Sequence, residues 1–213
     1  MIGDVFTSHE SPVTAFKKIF YTDHYVLPLP PGHRFPMPKY SLLPQRVMQA
    51  GLSGGEALRE PHAATDEEIL RAHDADYLRR VVGGELMPAE MRQIGFPWTP
   101  QMVERSRRSA GATIEACRAA LEEGIGVNLA GADPYRDDRL GRLALSKEGL
   151  RARDRMVLDL CRTACLPVAI VMAGGYARNI SDTVDIHFST SAVAVHFHRA
   201  AQQSHAPSST ATR

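Results

Sequence analysis

Two short apolar runs interrupt a chain whose other apolar residues mostly recur every three or four positions. They are Gly126-Val127-Asn128-Leu129-Ala130 and Val168-Ala169-Ile170-Val171-Met172. Runs of this length between helical patterns read as buried strands of a parallel sheet. Lys18-Ile19-Phe20-Tyr21 has the same character and predicts a short first strand. Helical spacing predicts helices over 39–50, from the Thr65…Glu68 capping signal through Ile69, Leu70 and His73, and again from Asp74 through Tyr77, Leu78 and Val81. In this reading His73 is a partly buried packing residue. The clearest helix runs from an N-cap at Thr99, with Pro100 in the first position, to a stop at Gly124. Its expected inner stripe is Val103, Ala110, Ile114, Cys117 and Leu121. Ser146 caps the next helix, with Leu150, Val157, Leu160, Cys161 and Ala164 facing inward, and Ser181 caps a last helical stretch toward Ala200.

The alternation of strands and helices defines an α/β class with a parallel sheet. In such sheets ligands bind beyond the carboxyl ends of the strands. There each apolar run meets a turn of small residues that presents one reactive side chain: Asp133 in Gly131-Ala132-Asp133-Pro134, and Tyr176 in Ala173-Gly174-Gly175-Tyr176. A carboxylate and a phenol so placed suit metal-assisted or oxyanion chemistry. The proline-rich segment from Leu27 to Pro38 excludes helix and is long enough for a functional loop. Glycine turns alone do not make a nucleotide site, since neither G-x-G-x-x-G nor P-loop spacing occurs.

With 213 residues, 44% of them hydrophobic, the chain can bury one substantial core. The residues divide into an irregular leader over 1–17, one domain over 18–200 without a clear linker, and a Ser/Ala/Thr-rich tail over 201–213 expected to be disordered. A net charge of +1 gives no general attraction to nucleic acid or anionic membrane, and Arg79-Arg80 and Arg105 to Arg108 read as solvated helix faces. No apolar stretch approaches membrane-spanning length, and no signal peptide is apparent. Three cysteines, with Cys161 and Cys165 one helical turn apart as packed thiols, fit a reducing cytoplasm.

Several motifs together resemble the histone deacetylase superfamily, in its bacterial deacetylase, acetylpolyamine amidohydrolase and acetoin utilisation branches. They are Phe20-Tyr21-Thr22-Asp23-His24-Tyr25, Pro31-Gly32-His33-Arg34-Phe35-Pro36-Met37, His73-Asp74-Ala75-Asp76-Tyr77-Leu78, Gly111-Ala112-Thr113, Asp138-Arg139-Leu140-Gly141 and the two turns above. The resemblance implies a three-layer, arginase/deacetylase-like parallel sheet with helices on both faces. It implies a zinc ion held by two aspartates and a histidine, a pair of adjacent histidines moving protons, and acetyl-lysine or acetylpolyamine amides as substrates. Matched position by position, Asp133 corresponds to a zinc ligand and Tyr176 to the oxyanion donor, with Gly174 and Gly175 shaping the turn that meets substrate.

The rest of that set is missing. The chain has no His-His, and its Asp-x-His, Asp185 and His187, falls within the last predicted helix. His24, His33, His62 and His73 match no compact zinc spacing. The sequence reads as the family's amino-terminal third joined near Leu129-Ala130-Gly131 to its carboxyl-terminal third, with the central strands lost. Such a chain is expected to hydrolyse amides poorly or not at all, to hold zinc weakly, and to expose sheet edges that favour self-association. The alternative it leaves open is a non-catalytic module that binds a ligand or partner.

Overall fold

A computed structural model describes residues 18–52, 57–128, 132–141, 143–171 and 174–204. The expected leader, the seam at 129–131 and most of the expected tail lie outside the described residues. Four parallel strands form one sheet in the order β2-β1-β3-β4, where β1 is Ile19–Phe20, β2 Leu58–Arg59, β3 Ile125–Asn128 and β4 Val168–Val171. The two apolar runs are adjacent strands, Ile125 opposite Val168 and Asn128 opposite Val171. The two-residue β2 and a short 3₁₀ turn at Asp23–Tyr25 carry too little pattern to be read from sequence.

Strand residues alternate between two cores, as period-2 geometry requires. Phe20 and Ala169 face helix α5 (Pro100–Glu123) through Ala112, Ala116 and Ala119. Ile19, Ile125 and Val127 face the opposite layer, where α1 (Lys39–Gln49) and α7 (Ile180–Ser204) supply Leu43, Val47, Val184 and Val193. Helix α6 (Lys147–Thr163) packs on α7. The three-layer, parallel, deacetylase-like α/β architecture expected from sequence is therefore present.

Local chemistry fixes most helix ends as predicted. Thr65 and Glu68 form a reciprocal capping box at α2 (Asp66–Leu70), and Asp74 accepts from two amides at the start of α3 (Ala75–Gly83). Thr99 accepts from the Met102 N–H, Gly124 closes α5 in a left-handed conformation, and Ser146 accepts from the Gly149 N–H. At α7 the cap is Asn179 rather than Ser181: its side chain accepts from the Ser181 N–H, and the helix starts at Ile180. His73 is exposed, not partly buried. The additional helix α4 (Pro88–Ile94) is missed by the sequence reading, although Pro88 in its first turn, Glu90 accepting from the Met87 N–H and Gly95 at its end are the local signals that mark it.

The inner faces of α5 and α6 differ from expectation. On α5 the buried residues are Met102, Arg105, Gly111, Ala112, Ala116, Ala119 and Ala120, whereas Cys117 is exposed and Leu121 is 77% exposed. Close approach decides this face: a Cβ on Gly111 would collide with the His62 carbonyl, and one on Gly126 with the Ala116 carbonyl. Only a stripe of small residues lets α5 sit this near the sheet. On α6, Leu150, Asp154 and Leu158 are buried, while Leu160 is 69% exposed and Val157 and Ala164 are also exposed. Replacing Gly126 by Ala is expected to destabilise the fold by about 2–3 kcal/mol, through forced separation of α5 from β3. Urea unfolding of the variant measures it, and an unchanged midpoint would contradict the close packing.

Candidate functional site

The two turns predicted to carry chemistry meet in space. The Gly175 N–H donates to Asp133 Oδ1 at 2.7 Å. Gly174 and Gly175 both have positive φ, 49° and 89°, and a Cβ on Gly174 would overlap the Asp133 carboxylate. Glycine is required there for the backbone to approach the acid. Asp138 builds the other wall. Its Oδ2 accepts from the Tyr176 N–H at 2.6 Å, and its Oδ1 accepts from the Leu140 and Gly141 amides at 2.8 and 2.7 Å. The Asp138-to-Gly141 segment thus clamps the Tyr176 turn to the Asp133 turn. This gives a physical role to a motif that sequence could only match.

Three further residues complete the site. Lys39, at the start of α1, is 1% exposed and its ammonium donates to the Gly174 carbonyl. Its Nζ lies 5.3, 5.5 and 5.6 Å from the ring centroids of Phe35, Tyr40 and Tyr176. Arg105 reaches the same rings from α5, its guanidinium 4.5 Å from the Tyr40 centroid and 5.5 Å from that of Phe35. His187, fully buried on α7, lies under Gly175, with neither ring nitrogen in a hydrogen bond of good geometry.

The charges in this cluster act on one another. Burial first, and then the Arg105 charge, lower the Lys39 amine to about 8, against the opposing pull of Asp133 and Asp138. Burial, followed by the nearby Lys39 charge, pushes the His187 imidazole well below its usual range, so it is neutral. Burial and the Asp133 charge raise the Tyr176 phenol, which therefore remains a proton donor. Neither Lys39, Arg105 nor His187 was singled out for this role from sequence. The motif match ends at Met37, Arg105 stands in a run that resembles a solvated face, and His187 stands inside the last helical pattern, past the Tyr176 turn.

The remaining candidates do not converge. His33 is a loop clasp, with Nε2 2.9 Å from the Gly95 carbonyl and Nδ1 accepting from the Phe35 N–H. His62 sits between Glu68 and Glu115 at 2.9 Å from each, and His24 lies 4.0 Å from Glu60. Asp185 is directed away from His187, toward Arg46 and toward Lys147 at 2.5 Å. Among the described residues, no three His, Cys, Asp or Glu side chains form a group able to hold a metal. Asp133 already accepts a backbone amide, and two buried cationic side chains stand close by. Zinc does not fit this donor set.

A parallel sheet with an acid and a phenol clamped together beyond adjacent strand ends places the chain among α/β proteins of the deacetylase type. The histone deacetylase domain family matches residues 33–129 and 124–191, and the chain belongs to that family. The two matches overlap at 124–129, beside the predicted seam. An uncharacterized protein of Picosynechococcus sp. is 24% identical over 285 aligned positions, covering 79% of this chain and 95% of the relative. An alignment longer than the 213-residue chain means that the relative carries residues with no counterpart here. No helix among the described residues is long and apolar enough to cross a membrane.

Proposed function

We propose that this chain is a deacetylase-family domain that retains the Asp133–Tyr176 turn pair as a ligand-binding site and has lost zinc-dependent amide hydrolysis. The observation that carries this reading is the condition of Asp133. The carboxylate that corresponds to a zinc ligand is hydrogen-bonded to the Gly175 amide and neighboured by buried Lys39, and among the described residues no second or third donor converges on it. A catalytic zinc needs three protein ligands and an open position. The overlapping family matches and the long alignment with the cyanobacterial relative support loss of an internal segment near 129–131. The missing His-His and Asp-x-His elements would lie in that segment.

Acetyl-lysine or acetylpolyamine amides remain the substrate class that the ancestry suggests. Cys117, Cys161 and Cys165 are free thiols, which supports a reducing compartment such as the cytoplasm. Nothing in the charge balance favours nucleic acid or membrane as a partner.

Two measurements on the purified chain test this reading. Metal analysis should find far less than one zinc per chain, and hydrolysis of an acetyl-lysine reporter should be no faster than in Tyr176→Phe. One tightly held zinc together with turnover abolished by Tyr176→Phe and Asp133→Ala would refute it.

A further inference from the structure

We infer that the pocket between α1, α6 and α7 is a second site, which takes a soluble organic phosphate: its dianionic head answers Arg151 and Arg199, and its apolar body rests on Leu52, Phe188 and Ala192. The inference goes beyond the reading above and does not depend on it, because none of these residues builds the Asp133–Tyr176 site.

The pocket has a volume of about 650 Å³, a size common among small-ligand clefts between helices. One face of α7 forms its wall. Asp185, Phe188, Ser189, Ala192 and Arg199 recur there at helical three- and four-residue spacings and their multiples. Leu52, just past α1, and Phe188 also pack against the main core, so the apolar part of the lining is fixed. The first two turns of α6 contribute Lys147 and Arg151 and bring the positive end of that helix to the pocket.

Pairing within the pocket leaves two cations over. Arg46, Lys147, Arg151 and Arg199 line it against two carboxylates, Glu148 and Asp185. Asp185 is taken by Arg46 on one oxygen and by Lys147 on the other, and Lys147 also meets Asp182 at 2.6 Å. Arg46 is held further by Phe188, its guanidinium 4.6 Å from the ring centroid. Glu148 is drawn back to its own backbone N–H and to Ser146 at the helix start. Arg151 and Arg199 have no acid partner among the described residues, and the Nε of half-buried Arg199 is buried without a hydrogen bond. A buried guanidinium N–H without an acceptor is costly, and native structures rarely leave one unanswered. Two unpaired guanidiniums beside an apolar floor suit a ligand with two negative charges and an apolar body. A phosphate monoester has both, and its oxygens match guanidinium donors.

Calorimetric titration of the full chain at pH 8 tests the site with phenyl phosphate. Benzenesulfonate serves as the singly charged analogue of the same ring, and inorganic phosphate as the head without a body. Phenyl phosphate should bind saturably, one per chain, and about tenfold more tightly than either control. Arg199→Gln should weaken phenyl phosphate by about tenfold and benzenesulfonate less, a change of selectivity that a merely structural role would not produce. Arg151 is exposed, so Arg151→Gln should fold as wild type does and still lower the affinity severalfold. That variant decides the matter if Arg199→Gln fails to fold.

Vesicles containing phosphatidic acid present the same head group on a membrane. Sedimentation of the chain with them, without binding of phenyl phosphate in solution, would overturn the inference in favour of a lipid surface. Phenyl phosphate that never saturates, that binds no better than inorganic phosphate, or that is indifferent to both arginine substitutions would overturn it too. Metal content enters none of these readouts, so failure here leaves the reading of the Asp133–Tyr176 site untouched.

Discussion

Lys39→Met is expected to make the protein more stable at neutral pH. Wild-type Lys39 is charged in a place that disfavours charge, with its folded pKa at about 8 against 10.5 for the free side chain. A depressed lysine costs stability wherever it must be protonated in the fold. The cost is fully present below pH 8 and fades as pH rises toward 10.5, because across that window the unfolded chain binds more protons. Fully converted, the shift corresponds to about 3 kcal/mol. Loss of the hydrogen bond to Gly174 returns about 1 kcal/mol of it.

The variant should therefore exceed wild type by about 2 kcal/mol at pH 7, and the gap should close by pH 10.5. The facing groups do not mimic this profile. Asp133, Asp138 and Arg105 face the ammonium, His187 is neutral, and the raised Tyr176 phenol is common to both proteins and drops out of their difference. Urea unfolding of both proteins at pH 7 and pH 10, in buffer free of carboxylates, measures it. A variant less stable than wild type at pH 7 would mean that the acids compensate the ammonium fully. A buried cation kept at such a cost is what a binding site, rather than a core, retains.

The second large effect concerns the end of the sheet. Among the described residues, strand β4 has a partner on one side only. Leu121 of α5, Met156, Val157 and Leu160 of α6, Leu166 and Val171 are all exposed. A cleft lined by Asp133, Val157, Leu158, Val168, Ala169 and Ile170 opens beside this strand. Such an edge promotes pairing. Sedimentation velocity should show self-association of the wild type, and Met156→Lys with Leu160→Glu should shift it toward monomer. Burial of two such side chains contributes about 3–4 kcal/mol, so the double variant should associate more than a hundredfold more weakly. A wild type that remains monomeric over a wide concentration range would show that this surface is tolerated as it stands.

The exposed face of α6 also explains where sequence reading failed. Val157, Leu160 and Ala164 have the spacing of a core stripe, and in a longer sheet that spacing would be consistent with burial. In this chain the layer ends at β4, and the stripe faces outward. The α5 error has a different cause. Leu121 and Ile114 outweigh alanine on any hydropathy scale, but the limiting quantity at that interface is distance, which only Gly and Ala satisfy. Periodicity reports that a helix has two faces. It does not report how close the neighbour stands.

What the sequence alone determined was local or strongly periodic: the strands read at 126–130 and 168–172, which the structure describes at 125–128 and 168–171, the caps at Thr65, Asp74, Thr99 and Ser146, and the family motifs that single out Asp133 and Tyr176. These depend on a few adjacent residues and survive any change elsewhere in the chain. Tertiary structure decided the rest. It set Lys39 from one end of the chain, Arg105 from its middle and His187 from near its end around a single glycine turn, and it tied both aspartates to backbone amides. Charge compensation in a buried site depends on distances between segments more than sixty residues apart in sequence, and no local pattern encodes them.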